Sequence, residues 1–179
     1  HHGRSDHNLT CPFLIVLQLN PAMFTGIVKE TGSVLQFSKQ DAAYRLHVSA
    51  HEVLADLEIG DSIAVNGCCL TVVDSDQQSL SFDLLEESVR LTSFQSVQQG
   101  DLANLEPALR FNGKIGGHFV SGHIDSTGTV QTAEYRGSDL YLAVKVPTEF
   151  QHYLVYKGSI AINGVSLTIA EVTNEGFAV

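Results

Sequence analysis

The chain has 179 residues, 44% hydrophobic and 17% charged, with a formal net charge of −10. That is enough to bury one core or two small ones, as a soluble globular protein does, and the acidic balance leaves no basic footprint for nucleic acid or an anionic membrane. Three cysteines, two of them adjacent at Cys68 and Cys69, form neither a C-x-x-C spacing nor a disulfide framework, so reduced thiols and a cytoplasmic setting are the default.

The first 22 residues differ from the rest. His1-His2-Gly3 reads as a tag stub, and the apolar run Phe13–Leu17 with Leu19 falls short of the roughly 20 residues that span a bilayer. One Arg precedes that run and no A-x-A site follows it, which makes a weak signal peptide. Met23 is the only Met and reads as a natural start, with residues 1–22 a leader outside the fold.

From Met23 onward, strand signals dominate. Arg45–Val48 and Ser79–Leu84 alternate apolar with polar, Ile63–Val65 is apolar, and Cys69–Val73 is rich in β-formers. Asn66-Gly67 and Asn163-Gly164 each sit between apolar runs, the signal of a tight hairpin whose two turn residues take positive φ. Ala50–Leu57 and Glu149–Tyr156 can each form a short helix.

These features come in pairs because the chain repeats itself. Ser62–Thr71 (SIAVNGCCLT) and Ser159–Thr168 (SIAINGVSLT) are identical at seven of ten positions, 97 residues apart, and Phe24–Val34 aligns with Val120–Val130 at an offset of 96. Solenoid and propeller units run only about 20–50 residues, so this period is that of a whole small domain. Each unit reads as about six short strands, an all-β pattern suited to a closed Greek-key barrel without exposed edges. Leu105–Gly117, with Pro107, Asn112-Gly113 and Gly116-Gly117, reads as the join. It divides a first unit over 23–118 from a second over 119–179. The second unit stops opposite Leu80–Phe82 and reads as truncated.

Chemistry is expected where the copies differ. After each Asn-Gly turn, Cys69 and Thr71, or Ser166 and Thr168, point away from Leu70 or Leu167. These are either ordinary small strand residues or a polar pair offered to a ligand, and recurrence in both units supports the second reading. Cys69 is matched by Ser166 and Ile27 by His123, so the two halves carry a thiol and an imidazole, a nucleophile and an acid–base. His118 and His123 lie in GGHFVSGH; on a strand their i, i+5 spacing puts them on opposite faces with no third ligand, which argues against zinc. The nearby glycines lack the GxxxxGK[ST] pattern of a phosphate loop. Asp83, Glu86 and Glu87 read as a solvated acidic edge, and Lys157 as either a solvated charge or a ligand clamp.

The segments MFTGIV (Met23–Val28), NGCCLTV (Asn66–Val72), SFDLLEES (Ser81–Ser88), GGHFVSGH (Gly116–His123) and YKGSIAINGVSLT (Tyr156–Thr168), in that order, resemble the riboflavin synthase family of lumazine-binding repeats. The resemblance implies two six-stranded Greek-key barrels, each binding one 6,7-dimethyl-8-ribityllumazine, and a cofactor-free transfer of four carbons from one lumazine to its twin. The products would be riboflavin and 5-amino-6-(ribitylamino)pyrimidinedione, made by a homotrimer with no nucleic-acid or membrane partner. Carried over by motif, Gly26, Ile27, Val28, Cys69, Leu70, Thr71, Asp83, Leu84, Leu85, Glu86, Glu87 and Ser88 would line a first pocket. Gly122, His123, Ile124, Lys157, Ser166, Leu167 and Thr168 would line a second. Cys69 would act at ring C7 as nucleophile or hydrogen-bond partner and His123 would shuttle protons. Ser62, Ser166 and Thr168 would orient and polarise the ring, with no metal. Two other readings are a non-catalytic lumazine or flavin antenna protein and the flavin barrel of a reductase; the latter needs a nucleotide-binding domain that has no counterpart here.

Overall fold

The structure, a computed structural model, describes residues 22–41 and 43–179. The tag-like stub, the apolar run at Phe13–Leu17 and most of the leader therefore lie outside the described residues. Among those described, no helix is long and apolar enough to cross a membrane.

Six antiparallel strands close the first unit: β1 Glu30–Lys39, β2 Tyr44–Ser49, β3 Ser62–Val65, β4 Cys68–Ser75, β5 Ser79–Leu84 and β6 Leu102–Pro107. Around the barrel they run β1-β2-β5-β4-β3-β6, and β6 closes it by pairing with both β1 and β3. Alternation explains the core: Leu46 and Val48 of β2, Ile63 and Val65 of β3, and Leu80, Phe82 and Leu84 of β5 point inward and are almost fully buried. Each such side chain contributes about 1.5–3 kcal/mol of burial. The short helix α1 (Glu86–Arg90) and two 3-10 turns, Val53–Asp56 and Ser93–Ser96, cap the barrel ends with Val89, Val53 and Phe94.

The second unit repeats the order with β7 Thr129–Arg136, β8 Asp139–Lys145, β9 Ser159–Ile162, β10 Val165–Thr168, β11 Glu171–Val172 and β12 Gly176–Ala178. The sequence reading anticipated this all-β duplication and its shorter second half. Here a four-stranded sheet, β11-β12-β8-β7, stands beside the hairpin β9-β10, around a smaller core of Val144, Ile169 and Phe177. Register breaks recur at matching places, between Val34 and Gln36 in β1 and between Val130 and Thr132 in β7.

Both hairpin turns form as the Asn-Gly signal requires, with φ of 49° at Asn66, 82° at Gly67, 47° at Asn163 and 82° at Gly164. Two details differ from the sequence reading. The expected helices are short 3-10 segments, Val53–Asp56 and Thr148–Tyr153. The join is shorter than Leu105–Gly117, because Leu105–Pro107 belongs to β6, where Leu105 is fully buried.

Candidate functional site

The two units meet around a local two-fold relation that the repeat makes visible. Phe24 and Val120, equivalent positions, exchange backbone hydrogen bonds of 2.8 and 3.0 Å. The two glycines of the hairpin turns also touch, since a Cβ on Gly67 would lie 2.7 Å from the Gly164 nitrogen. Asn104 of β6 donates its side-chain amide to the Asn163 carbonyl at 3.0 Å.

This arrangement crosses the two half-sites. The Ser166 N–H donates to the Gly26 carbonyl at 2.8 Å, and the Cys69 N–H donates to the Gly122 carbonyl at 2.8 Å. The segment before each barrel thus lies along the strand of the other unit that carries Cys69 or Ser166. Ile124 likewise packs against the core of the first barrel. The sequence reading grouped Gly26 with Cys69 and Gly122 with Ser166, whereas the structure places Gly26 against Ser166 and Gly122 against Cys69. The physical reason is that an irregular segment with unpaired backbone groups takes its partners from whichever strand lies across the interface.

Around β4, Leu70 is buried inside while Cys69 is half-buried and Thr71 exposed, so the thiol and hydroxyl share the outer side as alternation requires. Ala64 lies opposite Cys69, and Ser62 opposite Thr71. Burial pushes the Cys69 thiol up from its ordinary value, and a hydrogen bond with Ser62 works against that rise. Burial beside Cys69 pushes Cys68 up to about 11. Neither cysteine is a preformed thiolate at neutral pH.

In the second unit Ser166 faces Ala161, and Thr168 faces Ser159. The Ser166 hydroxyl is bonded to Nδ1 of His118 at 2.7 Å. His118 and His123 do not stand on a strand, which corrects the opposite-faces argument. They flank an irregular segment whose one ladder contact is the bridge at Val120, and Gly122 turns the chain there with φ +76°. The His123 backbone N–H donates to the Ser121 hydroxyl at 3.2 Å, and the residue is exposed. Among the described residues, no group of three or more His, Cys, Asp or Glu is placed to hold a metal ion.

The remaining expected residues divide. Leu70 and Leu84 are 7% and 1% exposed, so their side chains belong to the barrel core and leave only backbone for a ligand. Asp83 pairs with Arg45 at 2.6 Å, Glu86 with Lys39 at 3.2 Å and Glu87 with Arg90 at 3.8 Å, which makes this stretch a paired surface edge. Ile27 and Leu85 are exposed apolar residues, while Val28 and Ser88 are half-buried. Lys157 adopts φ +65°, and its ammonium lies 5.0 Å from the Tyr156 ring centre. Leu167 is half-buried opposite Ile160. A cavity of about 770 Å³ opens from the apolar interior of the second unit toward Gly122, His123 and Ile124, and its walls do not include Cys69 or Ser166.

Sequence reasoning missed two features. His118 was weighed only as a metal ligand, although Ser166 is its partner. Glu106 was passed over, yet it is 5% exposed and grips the Thr25-Gly26 backbone. Its one sequence signal is a carboxylate inside the otherwise strand-like Leu102–Pro107.

The model of the lumazine binding domain matches residues 25–108 and again 121–179. The chain belongs to the lumazine-binding domain family. Among its relatives, the riboflavin synthase of Bacillus subtilis (strain 168) is 42% identical over 153 residues, covering 86% of this chain and 71% of that protein. The riboflavin synthase of Escherichia coli (strain K12) is 39% identical over 160 residues, covering 88% and 75%. The fold is similar to LumP complexed with riboflavin, with a TM-score of 0.81 and 29% identity over 87% of this chain and 85% of that one. LumP complexed with 6,7-dimethyl-8-(1'-D-ribityl) lumazine aligns with a TM-score of 0.78 and 28% identity, covering 87% and 84%.

Proposed function

We propose that the chain is a riboflavin synthase that converts two molecules of 6,7-dimethyl-8-ribityllumazine into riboflavin and 5-amino-6-(ribitylamino)pyrimidinedione. The observation that carries this reading is the pair of unequal, crossed half-sites. Cys69 on β4, hydrogen-bonded to Ser62 of β3, stands in one and Ser166 on β10, hydrogen-bonded to His118, in the other, and β4 and β10 are each held by the other unit's glycine carbonyl. Two copies of one substrate then meet similar backbones and different side chains, as donor and acceptor of a four-carbon unit must. Atoms and electrons balance between the two lumazines, so the reaction asks for no external oxidant.

In this reading the raised thiol of Cys69 serves as a hydrogen-bond donor to the ring, and becomes a nucleophile only if a base takes its proton. Exposed His123, next in sequence to the Gly122 that accepts the Cys69 N–H, exchanges protons with the ring methyl. Ser166, bonded to the His118 imidazole, polarises the second ring, and Thr71 and Thr168 add hydroxyls on the same faces. The proposal extends to the unit boundaries at 23–118 and 119–179 and to a homotrimer, which light scattering of the purified protein tests.

The experiment is incubation with 6,7-dimethyl-8-ribityllumazine alone, with riboflavin followed by absorbance and chromatography. One riboflavin per two lumazines consumed is the expected result, lost in Ser166→Ala and reduced in Cys69→Ala. The likeness to LumP favours a second reading, lumazine or flavin binding without turnover. Tight lumazine binding without riboflavin formation would establish it in place of the synthase.

A further inference from the structure

We infer that Glu106 is a positioning residue that sets the Ser166–His118 pair from the opposite side of the unit interface. The strand order explains how it reaches there. Ala103 and Leu105 of β6 point into the first barrel and are buried in its core, so the alternate residues, Asn104 and Glu106, point outward. Glu106 faces Ala64, which faces Cys69, and the three form one row across β6, β3 and β4. At Glu106 that outer face is covered by the Thr25-Gly26 segment, which packs in turn on Ser166 of the other unit, and the carboxylate is buried.

Its three partners are all donors from one dipeptide. Oε1 accepts the Thr25 N–H at 2.7 Å and the Thr25 hydroxyl at 2.9 Å, and Oε2 accepts the Gly26 N–H at 3.0 Å. Successive backbone N–H groups ending in a left-handed residue form a concave anion site, and Gly26 has φ +74°. The same dipeptide turns its two carbonyls the other way. The Thr25 carbonyl accepts the His118 N–H at 3.0 Å, and the Gly26 carbonyl accepts the Ser166 N–H at 2.8 Å. One dipeptide therefore has Glu106 on its donor side and both members of the hydrogen-bonded pair on its acceptor side.

The packing leaves little slack for compensation. A Cβ on Gly26 would lie 2.6 Å from the Ser166 Cβ, and one on Gly117 would lie 2.1 Å from the Thr25 carbonyl oxygen. A shift of Thr25-Gly26 is thus passed on to Ser166 and His118 rather than absorbed. The shared carboxylate also matches two N–H groups and a hydroxyl with acceptors only. An amide in its place turns a donor toward a donor, leaving at least one buried N–H without a partner.

The test compares Glu106→Gln, which keeps the shape, with Glu106→Asp, which keeps the charge. Without ligand, amide and imidazole NMR should show the Ser166 and His118 amides and the His118 ring nitrogens displaced in Glu106→Gln, with the Cys69 and Gly122 amides unmoved. Glu106→Asp should restore part of the displacement. Thr25→Val, which removes only the hydroxyl donor, should give a smaller change in the same direction, and it serves if Glu106→Gln does not fold.

The ligand readout rests on the two-site reading above. Lumazine affinity should fall about tenfold in Glu106→Gln, equivalent to one charge-assisted hydrogen bond. Adding Ser166→Ala should cost nothing more, whereas adding Cys69→Ala should add its own full effect. Unmoved Ser166 and His118 resonances in a folded variant overturn the inference, as do equal displacements at Cys69 and Gly122. If the unsubstituted chain binds no lumazine, the functional reading fails, while the NMR comparison still decides the role of Glu106.

Discussion

Gly122→Ala tests the crossed interface most directly. Gly122 has φ +76°, a conformation that costs an L-residue about 1–2 kcal/mol. A Cβ there would lie 2.6 Å from the Cys69 Cβ, 2.8 Å from Cε2 of Phe24 and 3.1 Å from the Cys69 nitrogen. Cys69 and Phe24 belong to the opposite unit and stand on pinned backbone, so the contact has to be relieved by separating the units. Overpacking of this kind costs about 1–3 kcal/mol. The total is about 2–5 kcal/mol. Gly60→Ala is the control, because Gly60 has φ +98° and open space around the added carbon, which leaves the backbone cost alone. Urea and thermal unfolding, followed by tyrosine fluorescence since the chain has no Trp, measure both. At about 2–4 °C per kcal/mol for a chain of this size, Gly122→Ala should lower the midpoint two to three times as far as Gly60→Ala. Equal losses in the two variants would refute the close approach of Gly122 to Cys69, and with it the crossed half-sites.

The thiols give a second prediction: in a Cys11→Ser background at neutral pH, iodoacetamide should react with Cys69 before Cys68, and with both more slowly than with a free cysteine. The Cys68 rate should keep rising until the pH reaches about 11, and rapid labelling of Cys68 at pH 7 in the folded protein would contradict its burial. A third concerns Glu30. Burial opposes its charge, but the N–H groups of Val53, His51 and Glu52 and the neighbouring His51 more than offset this and hold its carboxyl below the usual range. Glu30→Gln should cost about 1 kcal/mol at neutral pH, as for a lost helix cap. Because the folded pKa is depressed, that gap should stay constant above pH 4.5, the unperturbed value, and close as pH falls through the folded pKa. A gap that widens in acid would reverse the assignment.

The duplication, the strands and both hairpin turns are legible in the sequence. Each of these is local: alternation over a few residues fixes which side of a strand faces the core, and Asn66-Gly67 or Asn163-Gly164 needs only its own backbone to turn. The candidate chemistry at Cys69, Ser166 and His123 was legible for the same reason, as substitutions inside a repeated pattern. Tertiary structure alone decided which half-site each segment serves. Alternation separates the inside of one barrel from its outside, but it carries no information about what covers the outside. Folding the Thr25-Gly26 segment over that outer face made Glu106, which the sequence did not single out, a buried ligand of Thr25 and Gly26. Packing of the two units also paired His118 with Ser166 and brought Gly122, rather than Gly26, to Cys69. These contacts join backbone groups distant in sequence, and they form because every buried N–H and carbonyl at the interface must find a partner.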